Sequence, residues 1–231
     1  MNYYQLNYDN LNPKITGTQF QSVSGYAGDI QKESMPYEGY IDFDFALPQP
    51  VLEDKAKLTS YLNVVMIPSW FLVLKQDLII FLNSFKIDNY QTWQLEVQYK
   101  KETIYDYRLF FINYPKQREL LIFDKSEFYI GSYSDYQFKG DQVSISSYED
   151  YLSKKELLSV ENPDLFLKHD LLTIDISLIS DDFFRLINVP YSGYYVSERL
   201  KNAMEAEGFT GMAFQKMDMI DNKIEIIGAN S

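Results

Sequence analysis

The stretch YYVSERLKNAMEAEGFTGMAF, residues 194–214, dictates a strand, a capped helix and a returning strand with little help from the rest of the chain. Tyr194 to Val196 is a short β-rich run that ends at Ser197, whose hydroxyl can accept from the first free backbone N–H groups of a helix. Glu198 follows where the helix dipole favours an anion. Leu200, Ala203, Met204 and the stem of Glu207 recur at helical spacing as the inward stripe, while Lys201, Asn202 and Glu205 face water. Gly208 supplies a left-handed C-cap, and Thr210 to Phe214 returns as a strand.

A looser echo lies upstream, where NVVMIPSWFLVLKQDLIIFLNSF followed by TWQLEV repeats the order strand, serine, helix, turn, strand. Ser69 is placed to cap a helix whose buried face is Trp70, Leu74, Leu78, Phe81, Leu82 and Phe85. QTWQLEVQYK then alternates as one half-buried strand with Trp93, Leu95, Val97 and Tyr99 on its apolar side. Further strands are expected at Tyr3–Tyr8, 104–113, 119–123, 127–131, 143–146 and 165–176. Helical structure is expected from about Tyr148 to Leu158 and, as a short turn, from Asp181 to Ile187. Asp42 and Asp44 alternate with Ile41, Phe43 and Phe45, the period of a strand with one wet face. The sum is an α+β fold, a mainly antiparallel sheet with a few packed helices. Residues 1–57 read as an N-terminal strand and irregular segment packing on a main body formed by residues 58–231.

With 231 residues the chain can bury a substantial core without staples, and it contains no cysteine, so disulfides and thiolate chemistry are excluded. The N-terminal residues MNYYQLNYDN carry no signal-peptide pattern, and Lys75, Gln76 and Asp77 interrupt the longest apolar stretch, so no membrane span is expected. The absence of cysteine fits a reducing cytoplasm. A formal charge of −12 without a basic stripe argues against nucleic acid and suits a basic protein surface. Twenty tyrosines and sixteen phenylalanines favour β-rich cores and contact surfaces alike.

Chemistry is sparse. His169 is the single histidine, and Asp170 or Asp175 could orient it, yet no nucleophile elbow presents a serine to it. No glycine-rich phosphate loop appears, no metal-ligand pattern stands out, and no cofactor is expected. Many carboxylates leave a carboxylate-dependent hydrolase open, which would show as a deep pocket with acids of raised pKa. A tyrosine-rich glycan- or peptide-binding module would instead show a shallow aromatic groove. The loop GSYSDYQFKGD offers Tyr133, Asp135 and Tyr136 as partner-binding residues, and Asp42 and Asp44 join them as exposed acids.

The closing unit resembles the C-terminal signature of immunity protein family eleven of bacterial polymorphic toxin systems, the myxobacterial type. That signature is a strand ending in a V-S-[DE]-[RK]-L box, a helix, and a glycine turn into a T-G-hydrophobic-x-F strand. Val196, Ser197, Glu198, Arg199, Leu200, Gly208, Thr210, Gly211 and Phe214 carry the match. The resemblance implies a cytoplasmic, non-enzymatic protein that binds and neutralises a cognate toxin domain. The motif residues themselves are expected to be scaffold, because capping and packing account for each of their types.

Overall fold

The structure is a computed structural model and describes residues 2–228. It is an α+β protein in which sixteen strands form four mostly antiparallel sheets among the described residues. In chain order the elements are β1 (Tyr3–Tyr8), α1 (Pro13–Thr16), β2 (Ser22–Tyr26), β3 (Gln49–Leu52), β4 (Tyr61–Leu62), β5 (Leu72–Lys75), α2 (Gln76–Leu82), β6 (Tyr90–Gln94), β7 (Val97–Tyr99), β8 (Glu102–Ile104) and β9 (Tyr107–Ile112). A linker carrying α3 (Gln117–Leu120) leads to β10 (Glu127–Ser132), β11 (Gln142–Val143), α4 (Tyr148–Glu161), β12 (Leu165–Asp175), β13 (Phe183–Leu186), β14 (Gly193–Ser197), α5 (Glu198–Ala206), β15 (Met212–Lys216) and β16 (Ile224–Ile227).

The two halves are copies of one topology. One sheet has the order β4-β5-β9-β6 and another the order β13-β14-β1-β15, all antiparallel. In each, a strand runs directly into a helix that crosses to the far side of a central strand. The register matches as well: Lys75, the last strand residue before α2, faces Tyr107, and Ser197, the last before α5, faces Tyr3. The smaller sheets repeat too, since β3 lies antiparallel to β2 and parallel to β7, as β12 lies antiparallel to β10 and parallel to β16. The helical echo in the sequence is thus one part of a structural duplication in which β1 plays the role of β9. Of residues 1–57, β1 enters the middle of one sheet while β2 and β3 join another.

Alternation along the strands divides the core into three layers. Leu72 and Leu74 of β5, Phe110 and Ile112 of β9, Leu6 of β1 and Tyr194 and Val196 of β14 meet in a shared central core with Leu78, Leu82, Leu200 and Met204 of the two helices. Their neighbours in sequence point outward: Val73, Leu109 and Phe111 into the first half's own core, Tyr3, Phe184 and Tyr195 into the second half's. The strands β5, β9, β13 and β14 are therefore buried on both faces, which requires apolar runs rather than alternation.

Five expectations are corrected by this arrangement. Residues 72–75 are strand, so the helix begins at Gln76 and Ser69 does not cap it; α2 has no side-chain cap at all. A run buried on both faces carries no period to separate strand from helix. QTWQLEVQYK is two strands in different sheets, β6 and β7, because the chain turns at Leu95 and Glu96 while its apolar side chains stay in one core. Phe183–Leu186 is a strand with every residue buried rather than a helical turn, and residues 117–120 are helix where a strand was expected from 119. Asp42 and Asp44 lie in irregular chain, since Gln91 occupies both backbone groups of Ile41 at 2.8 Å and stands in for the neighbour a strand would need.

Candidate functional site

Between the halves lies an open cleft of about 1120 Å³. Its floor is the first part of β12, with Phe166, Lys168 and His169; α4 supplies Tyr151 and Lys155, and Tyr37 and Trp70 face them from the first half. Gly131 permits the floor its shape, because a Cβ there would sit 3.0 Å from the Phe166 ring and 3.2 Å from the Lys168 side chain. Tyr37 is held in place by the buried Arg185, whose Nε donates to Ile112 O at 2.6 Å and whose Nη2 donates to Tyr37 O at 2.5 Å. Arg118 links the two sides, binding Glu38 (2.9 Å) and Glu149 (2.8 Å).

The two groups of exposed residues picked from sequence occupy equivalent connections of the duplicated fold. Asp42 and Asp44 lie between β2 and β3; Tyr133, Asp135 and Tyr136 lie between β10 and β12. Tyr133 lines the cleft, its ring stacked on Phe166 at 4.4 Å, and Asp164 clamps its turn by accepting from Ser132 Oγ, Ser134 Oγ and Ser134 N at 2.6 to 2.8 Å. Those serine hydrogen bonds hold the Asp164 carboxyl below its usual range. Asp135 turns inward on its own loop, accepting from Gln137 N at 3.0 Å. Tyr136 is exposed, and its carbonyl accepts from Lys168 Nζ at 2.8 Å. Asp42 and Asp44 are exposed and line no part of the cleft; Tyr37, from the same connection, does.

His169 is not oriented by Asp170 or Asp175. Asp170 pairs with Lys139 and with Lys223 (3.5 Å), and Asp175 caps Ser177. Tyr191 takes the place, 2.7 Å from His169 Nε2, and donates its own hydroxyl proton to Asp221 Oδ2 at 2.8 Å. Because the tyrosine proton is committed to the carboxylate, the imidazole must be the donor at Nε2, which leaves the lone pair of the neutral ring on Nδ1. Burial pushes the His169 pKa down, and Lys223 and Lys168 add to this against Asp221 and Asp170. The unfolded chain therefore binds this proton more readily. The stability contributed by the neutral ring is complete above pH of about 6.5 and is lost as pH falls below it. With a single histidine in the chain, its Cε1–H resonance should titrate with a midpoint below about 6.5; a midpoint at or above that value would mean a solvated ring.

The motif residues are tied into the fold by burial and hydrogen bonds. Ser197 is fully buried, accepts from Leu200 N at 3.1 Å and donates to Asp182 Oδ1 at 2.6 Å. Arg199 binds the same carboxylate and lies over the Phe85 ring. Glu198 accepts from Asn2 and Tyr4, which fastens β1, and Leu200 fills the shared core. Gly208 ends α5 at φ +76°; Gly211, at φ +87°, leaves no room for a Cβ beside Tyr61 O; and Phe214 pairs with Leu6. Asp182, Arg185 and Asp221 are central here and had no signal in the sequence beyond their types; Trp70 and Tyr37 could have been found only as aromatics in irregular chain. Among the described residues no three His, Cys, Asp or Glu side chains are placed to hold a metal ion, and no helix is long and apolar enough to cross a membrane. The chain matches no protein-family model and no curated protein.

Proposed function

We propose that this protein acts by stoichiometric protein binding, with the cleft between its halves as the contact surface and a toxin domain, neutralised in the cytoplasm of the producing cell, as its partner. The observation that carries the binding reading is the cleft itself: an open groove walled by Tyr37, Trp70, Tyr133 and Tyr151, with its rim tied down by Asp164, Arg118 and Arg185. Aromatic side chains on a rigid frame give contact area at low entropic cost. The choice of a toxin as the partner rests on the resemblance in residues 194–214. Hydrolysis by paired carboxylates has less to support it, since the carboxylates with displaced pKa values, including Glu149, Asp150, Asp170 and Asp221, are displaced downward by hydrogen bonds and ion pairs.

Growth rescue of cells expressing the C-terminal domain of a toxin encoded beside this gene is the direct test. Wild-type protein should rescue, and Tyr37→Ala combined with Tyr133→Ala should weaken binding by roughly 30-fold or more without a matching loss of melting temperature. Rescue that survives the double substitution would move the contact away from the cleft.

A further inference from the structure

The cleft departs in charge from the molecule that surrounds it. The chain carries −12 overall, yet the charged residues lining the cleft are Lys155 and Lys168 against a single acid, Glu156. Lys154 is neutralised by Asp150 at 2.9 Å, whereas Lys155 has no ion-pair partner among the described residues. Lys168 spends one hydrogen on Tyr136 O and keeps two. Trp70 Nε1–H is buried without an acceptor among the described residues. Lys155 and Lys168 thus keep unspent donors at the cleft, and the Trp70 indole beside them reports on any group that enters.

Backbone geometry adds a second constraint. Along Leu165–Leu171 the strand β12 is paired with β10 on one side only, because β16 joins its other side from Leu172 onward. The edge belongs to the same residues, 165–169, that form the cleft floor; Asn162 O accepts from Leu165 N and Lys223 Nζ donates to His169 O, which leaves the backbone around Leu167 open between them. An edge of this kind accepts an added strand through main-chain hydrogen bonds, with alternate side chains directed into flanking pockets.

We propose that the cleft receives an extended acidic segment of a protein partner, laid along the open stretch of β12 around Leu167, with its carboxylates toward Lys155 and Lys168 and its apolar side chains between Tyr37, Tyr133 and Phe166. This rests on the binding reading above and refines it: the inserted segment is acidic although the whole protein is acidic too. Local charge at the contact, rather than net charge, decides which segment is desolvated successfully.

A phage-displayed library of random twelve-residue peptides, panned on the wild-type protein, tests the assignment. Enriched peptides should carry Asp or Glu alternating with aromatic or aliphatic residues. Synthetic versions should shift the Trp70 indole N–H resonance, identified by its survival in Trp93→Phe, and Lys155→Glu should weaken them at least tenfold at unchanged melting temperature. Enrichment of basic or uncharged peptides that still shift Trp70 would overturn the acidic occupant and leave the cleft as a binding site. Failure to enrich any peptide, or binding that Lys155→Glu leaves intact without a Trp70 shift, would overturn the groove itself, while toxin rescue by wild-type protein would still uphold the binding function.

Discussion

Replacing Asp182 by alanine should cost about 2–4 kcal/mol of folding stability, read as a lower urea midpoint at unchanged m-value. The residue is almost fully buried and satisfies three donors at once: Ser197 Oγ at 2.6 Å, the backbone N–H of Lys86 at 3.0 Å, and the Arg199 guanidinium. Its removal leaves the fully buried Ser197 hydroxyl without its acceptor and takes one from the part-buried Lys86 N–H, and each unmet donor carries its own desolvation cost. Burial by itself would push the Asp182 carboxyl up; the bonds from Arg199, Ser197 and Lys86 outweigh it and hold the group below its usual range. A depressed native pKa stabilises the fold above the unfolded value of about 3.9 and ceases to do so as pH falls below it. Wild type should therefore lose stability below about pH 4 more steeply than Asp182→Asn, which has no such proton to bind. A loss under about 1 kcal/mol in Asp182→Ala would mean that water reaches the site and replaces the carboxylate.

Phe110→Ala should be of similar size, about 3–5 kcal/mol, and should report on something different. Phe110 stacks on Tyr90 at 4.9 Å and on Phe183 at 5.6 Å, so its ring touches both halves within the shared core. Neither half can bury its sheet without the other, because the inner faces of β5 and β9 are covered by β14, β1 and the two helices. The variant should still unfold in one cooperative transition at a lower midpoint. Two separated transitions would show that each copy of the duplicated unit holds its own core, and would reduce the central layer to a docking contact.

The local punctuation of the chain was legible and the strand assignment was only partly so. Ser197 and Ser147 cap their helices as their positions suggest, accepting from the backbone N–H groups of Leu200 and Asp150, because a cap is decided by residues three apart. Glu207 is exposed and Lys201 lies across the Tyr4 and Phe214 rings, a reversal of the expected facing, since a helix end is covered by whatever strand happens to pass it. Leu72–Lys75 and Phe183–Leu186 were misread for one shared reason: they occupy equivalent sheets with a core on either face, and such strands have no polar side to reveal their period.

The candidate site was less visible still. Tyr133 could be marked as an exposed aromatic, but that it stands opposite Tyr37 and Trp70 depends on packing between segments far apart along the chain. His169 was found as the single histidine, and its partners Tyr191 and Asp221 arrive from two turns that sequence spacing does not connect.

By itself, then, the sequence determined the α+β class, the capped helices and the exclusion of thiol chemistry, all of which follow from residue type, short-range spacing or composition. The tertiary structure alone decided that the chain is a duplicated unit whose first strand completes its last sheet, and that Lys155 and Lys168 of an acidic protein meet at the groove between the copies. Strand pairing and charge juxtaposition are set by contacts far apart along the chain, and no local pattern of residues encodes them.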